Sequence, residues 1–186
     1  EGYEPDAFIN FLALLGWNPG TEEEIFSLEE LINRFSLERI NKAGAKFDIE
    51  KAKWFNQEYL KKTNANELAD QLIRILNKNG IQDYPTDKAA RICEAMKGRI
   101  TFVADIWQDS SFFFGKPTEY DEKIVGKKWT AEVEDVLSAY VHKLKRVDDW
   151  QKDNIKAELE HVLAEKDTKM GKVMQPLRLS LTGSGA

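Results

Sequence analysis

Cysteine is almost missing from this chain: Cys93 is the only one in 186 residues. That excludes an internal disulfide and any multi-cysteine zinc centre, and it suits a reducing compartment. Histidine is nearly as scarce, with His142 and His161 alone, each on a helical stretch where a surface or half-buried role is the ordinary one. There is no Gly-rich phosphate loop and no His-Glu-x-x-His. Nothing assembles a nucleophile, a base and an oxyanion site, so no catalytic residue and no metal are expected. No apolar run reaches the ~20 residues of a membrane span. The apolar stretch near the start lacks the basic region and small-residue cleavage site of a signal peptide, so a cytoplasmic parent without membrane contact is expected. Positive charge is not in excess either. Lys and Arg number 27 against 32 Asp and Glu, a net charge of -5, which argues against a non-specific coat for nucleic acid but leaves a local basic patch open.

What is present is helical. With 42% hydrophobic and 32% charged residues, the composition is that of an ordered globular protein. Sustained strict alternation is absent, so β content should be small, and no fixed-period repeat occurs. Pro5 and Gly16 bracket Ala7 to Leu15 as a helix apolar on nearly every side, hence one expected to be buried on nearly every side, and this run reads as the sequel to something earlier in a parent protein. Ser27 with Glu30 forms a capping box before Leu28, Leu31, Ile32 and Phe35. Ser36 caps a brief turn. Asp48 caps a helix from Ile49 to about Leu60, with Lys51, Trp54, Phe55 and Glu58 on one side and Ile49, Ala52, Asn56 and Tyr59 on the other. Around it Lys42, Lys46, Lys51, Lys53, Lys61 and Lys62 have few acids to relieve them.

Asn64, a further cap, opens an amphipathic helix through Leu68, Leu72, Ile75 and Leu76 that Gly80 stops. Asp87 to Lys97 repeats the logic, and Gly98 places Arg99 just past a helix terminus. Phe102 to Trp107 makes a short helix, and the Phe112, Phe113, Phe114 run is a connector. Thr130 opens the most regular helix of all, with Val133, Val136, Leu137, Tyr140, Val141 and Leu144 on its apolar stripe, and Ile155 to Leu163 supplies its partner. A last helical segment from about Lys169 to Thr182 contains Pro176.

These residues point to binding. An ammonium neutralises a phosphate while an indole packs on a ribose or base, so Lys51 and Trp54 make a sugar-phosphate clamp. They read equally as a solvated charge and a core tryptophan. Arg99 and Arg178 each accompany a helix break, where a planar five-donor fork can reach base edges, or they are surface arginines. A helical protein-interaction module, docking through the amphipathic faces from Thr130 to Glu165, is the alternative.

Several blocks of sequence carry a resemblance. Gly2-Tyr3-Glu4-Pro5-Asp6-Ala7, Asn10 through Trp17, Phe26 to Glu30, Phe35 to Arg39, Ala45 to Lys51, Lys53-Trp54-Phe55-Asn56, and the closing Met174-Gln175-Pro176-Leu177-Arg178 with Leu181-Thr182-Gly183 resemble the C-terminal half of bacterial-type glutamyl-tRNA synthetases. The resemblance implies an all-α chain without a β-barrel: a stem-contact region over 1–62, then an anticodon-binding domain in two helical parts, 63–120 and 121–186. It implies a glutamate-specific tRNA as partner, neither DNA nor membrane, and a covalently attached N-terminal catalytic domain. The family's His-Ile-Gly-His-type and Lys-Met-Ser-Lys-Ser-type motifs do not occur here, so the chain is expected to be inactive alone and to hold no cofactor. The parent would be a glutamate–tRNA ligase using ATP and Mg²⁺. By the same resemblance Lys51, Lys53, Trp54 and Lys169 fall at stem or backbone positions, Arg99 at the position that reads the third anticodon base, and Arg178 at an anticodon contact. Ala52 stands where the family usually has leucine, and the family's sequence runs on beyond the point where this one ends, at Ala186.

Overall fold

The computed structural model describes residues 2–42 and 44–185, so Ala186 lies outside the described residues. Ten α-helices and two 3₁₀ turns account for its regular structure, and the only strand-like feature among the described residues is an isolated bridge between Trp17 and Ile40. The helices are α1 (Pro5–Gly16), α2 (Leu28–Arg34), α3 (Ile49–Lys62), α4 (Ala65–Lys78), α5 (Thr86–Met96), α6 (Ala104–Asp109), α7 (Glu122–Lys128), α8 (Ala131–Leu144), α9 (Lys152–Glu165) and α10 (Met170–Thr182). They gather into two compact units, Glu1–Ser110 and Ser111–Ala186.

In the first unit, α1 lies against α3 and α2, while α4 packs on α5 and α6. Pro5 opens α1 where its missing N–H costs nothing. Phe11 meets Phe55 of α3 at 5.9 Å and Phe47 at 5.0 Å between ring centroids, with Ala52 buried beside them. A small Ala52 lets these rings approach. The two helix groups are tied by polar bonds: Asn56 of α3 is fully buried, accepts the Glu4 backbone N–H at 2.7 Å, and donates its amide to the Thr101 carbonyl. Gln71 of α4 donates to the Glu4 carboxylate at 2.8 Å, and Tyr3 meets Phe102 edge-on at 4.9 Å.

Three expectations need correction here. Helix α1 is not buried all round: Ile9 is 42% and Leu12 44% exposed, because α2 and α3 cover only one side. The Leu28, Leu31, Ile32, Phe35 stripe fully buries only Leu31; Leu28 and Ile32 are exposed, and Phe35 is half exposed beside the Trp17 ring, 5.8 Å between centroids. On α3 the inner line is Ala52, Phe55, Asn56 and Leu60, so it runs across the two sides drawn from the helical wheel. The Ser27–Glu30 capping box forms with both of its bonds, whereas Asn64 caps α4 through the Asn66 N–H with no part for Glu67.

In the second unit, α8 and α9 bury their apolar stripes against each other and Val173 of α10: Val133, Val136, Leu137, Tyr140, Leu159, Val162 and Leu163 form one core. Val141, expected in that stripe, is exposed. Tyr140 anchors the pair by donating its hydroxyl to the Ile155 carbonyl at 3.0 Å. Helix α10 runs through Pro176, which is buried. It closes on Gly183 at φ 77°, a left-handed residue whose N–H bonds the Leu179 carbonyl at 2.8 Å.

Candidate nucleic-acid interface

The cap of α3 sets the geometry of its outer face. Asp48 accepts the Lys51 N–H at 3.1 Å, fixing the first turn. With Ala52 and Phe55 turned inward, Lys51 and Trp54, three residues apart, share the solvent side. The Trp54 indole is 38% exposed and leans edge-on against Phe55, 5.0 Å between centroids at 84°. It is therefore no core tryptophan. A flat ring braced from beneath offers its other surface to a planar ligand.

The lysines here are less free than the sequence suggests. Lys51 pairs with Glu24 at 2.5 Å, Lys53 with Glu50 at 2.8 Å, and Lys61 with Glu58. The Glu50 carboxylate holds the Lys53 ammonium above its ordinary pKa, chiefly through their hydrogen bond. Exposed pairs of this kind contribute little, ~0 to 1 kcal/mol each, so a phosphate can replace the carboxylate at small cost. Lys42, Lys46 and Lys62 make no ion pair among the described residues.

Arg99 sits in the turn after α5, where its N–H donates to the Met96 carbonyl at 2.7 Å and the next residue, Ile100, is buried. The backbone is held and the guanidinium is left in solvent. Neighbouring Lys97 is taken by Glu94 at 2.7 Å, while Arg99 has no carboxylate partner among the described residues.

In the second unit, Arg178 projects from α10 between Met174 and Leu181, four residues before and three after it, and both of these are exposed. Arg178 likewise has no ion pair among the described residues. Lys169 stands just before α10 with its side chain free, whereas Lys172 is bound by Glu132 at 3.0 Å. The two units thus each present at least one unpaired arginine beside backbone that is firmly held.

Among the described residues no group of three His, Cys, Asp or Glu could hold a metal ion. Both histidines are exposed, and His161 is 3.9 Å from Glu158. Cys93 is buried, and burial pushes its thiol up to about 11, so it carries no thiolate at neutral pH. No helix is long and apolar enough to cross a membrane among the described residues.

Sequence reasoning missed the partners of the lysines and the buried asparagines. Glu24 lies 27 residues from Lys51, and no local spacing could have joined them. The Glu50–Lys53 pair, at three residues, was legible. Asn10 is fully buried, accepting the Phe26 N–H and the Tyr59 hydroxyl, both at 2.9 Å.

Helices α3 to α10 together define a class of protein. The anticodon binding domain family matches residues 49–186, and the chain belongs to it. Residues 1–54 match the catalytic domain of class I tRNA synthetases of the E and Q type. Among curated relatives, glutamate–tRNA ligase of Cytophaga hutchinsonii is 44% identical over 187 residues and that of Flavobacterium johnsoniae 45% over 184, covering 100% and 99% of this chain. The chain spans only 36% of the length of either relative. A crystal structure of a glutamate tRNA ligase from Elizabethkingia meningosepticum, in complex with its amino acid, superposes with a TM-score of 0.90 at 41% identity, covering 98% of this chain and 36% of that one. Glutamate-tRNA synthetase from Elizabethkingia anophelis gives 0.86 at 40%, with the same coverage.

Proposed function

We propose that this chain is the tRNA-binding part of a glutamate–tRNA ligase, holding the tRNA stem and reading the anticodon for a catalytic domain that attaches glutamate. The observation that carries the proposal is that Arg99 and Arg178 are both exposed and free of carboxylate partners among the described residues, in a chain of net charge -5 whose residues 49–186 match the anticodon binding domain family. Specific RNA recognition targets unstacked loop bases, which a guanidinium fork reads at their edges and lysines position through phosphates. Residues 1–62 serve the stem through Lys51, Lys53 and Trp54. Residues 63–120 and 121–186 serve the anticodon, with Arg99 and Arg178 on bases and Lys169 on backbone.

ATP and Mg²⁺ belong, on this reading, to the catalytic domain of the longer ligase and not to this chain. That domain also accounts for the open side of α1. An apolar hollow of about 610 Å³ is lined by Tyr3, Pro5, Phe8, Ile9, Phe47 and Ile49, all within the residues that match the catalytic family, and the rest of that domain would cover it.

Arg99→Gln, placed in the longer ligase, should relax discrimination between glutamate and glutamine tRNAs by ~1 to 3 kcal/mol. Charging ratios measured on the two tRNAs check this, and equal ratios for variant and parent would count against the role of Arg99. The protein-interaction alternative draws no support from α8 and α9, whose apolar stripes are occupied by each other.

A further inference from the structure

We infer that Asn56 and Gln57 of α3 are positioning residues for Arg99: they clamp the segment that follows it and so set the point from which its guanidinium reaches out. The inference rests on the reading of Arg99 above and deepens it with residues that reading does not use. All of them lie in the first unit.

The turn after α5 is gripped from two other helices. The Arg99 N–H donates to the Met96 carbonyl at 2.7 Å, and the next residue, Ile100, is buried. Thr101 is then held three times: its N–H donates to the Asp105 carboxylate of α6 at 2.8 Å, its carbonyl accepts the Asn56 amide, and its hydroxyl accepts the Gln57 amide at 2.9 Å. The Phe102 N–H reaches the same Asp105 oxygen at 2.8 Å. Two of the holds on Thr101 thus come from consecutive residues of α3, 45 and 44 positions away in sequence. Asn56 is itself fixed, being fully buried and accepting the Glu4 N–H at 2.7 Å.

The consequence is for reach. A recognition contact must be held within about 0.5 Å of its productive geometry, and Arg99, with no carboxylate partner among the described residues, has only its backbone to place it. That backbone is held by the end of α5 on one side and by the clamp, two residues on, at the other. The origin of the side chain is therefore set before any ligand arrives, and only the side chain itself remains to be ordered. Helix α3 also carries Lys51 and Trp54. On the reading above, the helix that holds the stem fixes the origin of the arginine that reads the loop, and the clamp sets the spacing between the two.

The test is charging of glutamate and glutamine tRNAs by the longer ligase, read as the ratio of their kcat/KM values. Asn56 stays in place, because its loss lowers stability. Thr101→Val removes the hydroxyl that Gln57 holds at nearly the same side-chain size, Gln57→Leu removes the amide, and Thr101→Ser keeps the hydroxyl. Both positions are half-buried, and circular dichroism at the assay temperature confirms that each variant is folded. Thr101→Val and Gln57→Leu should each lower the ratio about three- to tenfold, a part of what losing the guanidinium costs, while Thr101→Ser should keep the parent ratio. In an Arg99→Gln background the same substitutions should leave the ratio where it is, since a positioning effect needs the residue it positions. A parent ratio kept by Thr101→Val and Gln57→Leu, while Arg99→Gln lowers it, would overturn the inference and leave the tRNA reading intact. An equal fall with and without the guanidinium would also overturn it, by making the clamp structural only. A ratio that Arg99→Gln does not move would overturn the reading of Arg99 and the inference together.

Discussion

Asn56 joins three segments that the sequence keeps far apart. It accepts the Glu4 N–H and donates to the Thr101 carbonyl, partners 52 and 45 residues away. Asn56→Leu leaves both half-buried backbone groups without this partner, and should cost about 2 kcal/mol, read as a lower urea midpoint at unchanged slope. An unmoved midpoint would contradict the role. Nothing at position 56 announces this in the sequence, because a polar residue on an amphipathic helix ordinarily faces water and only the return of Thr101 reverses that. Tyr59 and Cys93 belong to the same scale. Burial raises the Tyr59 hydroxyl to about 12 and the Cys93 thiol to about 11, from ordinary values of 10.0 and 9.0. Both groups are almost wholly neutral in either state below about pH 8. Above that the unfolded chain ionises first, so it binds fewer protons than the native one and stability falls as pH rises toward 12. Thermal midpoints should decline from pH 9 upward, and a flat profile to pH 11 would contradict the burial argument.

Among elements, helical periodicity told which residues share a face but not whether anything covers it. For α8 and α9 both halves of the interface lie in the chain, and Val133, Val136, Leu137 and Tyr140 were legible as core from spacing alone. The caps at Ser27, Asp48 and Thr130 were legible for a similar reason, since their partners lie within three residues. Helices α1 and α2 were misread because Ile9 and Leu12, and the stripe through Leu28, Ile32 and Phe35, look like core yet stay 42% to 68% exposed here, with Phe35 meeting the Trp17 ring at 5.8 Å. The two faces of α1 should therefore respond differently. Ile9→Ser and Leu12→Ser should each stay within ~0.5 kcal/mol of the parent, while Phe11→Ala, at the contact with Phe55, should cost about 3 to 5 kcal/mol. Denaturant titration of the three variants decides it, and a large loss at Ile9 would mean that α1 is covered on its second side as well.

At the scale of the whole molecule, an acidic chain binds a polyanion only where its cations are locally unopposed. The candidate site was half legible in this respect. Arg99, Arg178, Lys51 and Trp54 were found from helix breaks, helix faces and family motifs, and each proves exposed. The carboxylates that hold Lys51 and Lys53 come from Glu24 and Glu50, and only the nearer of the two could be read from spacing. Binding confined to a few phosphates and loop bases should weaken with salt yet depend on the anticodon. The most direct measurement is a titration of the chain with glutamate tRNA and with the same tRNA lacking its anticodon loop. The intact tRNA should bind at least about tenfold more tightly, as expected for arginine contacts to loop bases. Equal affinities, or no binding of either, would contradict an anticodon-reading surface on this chain.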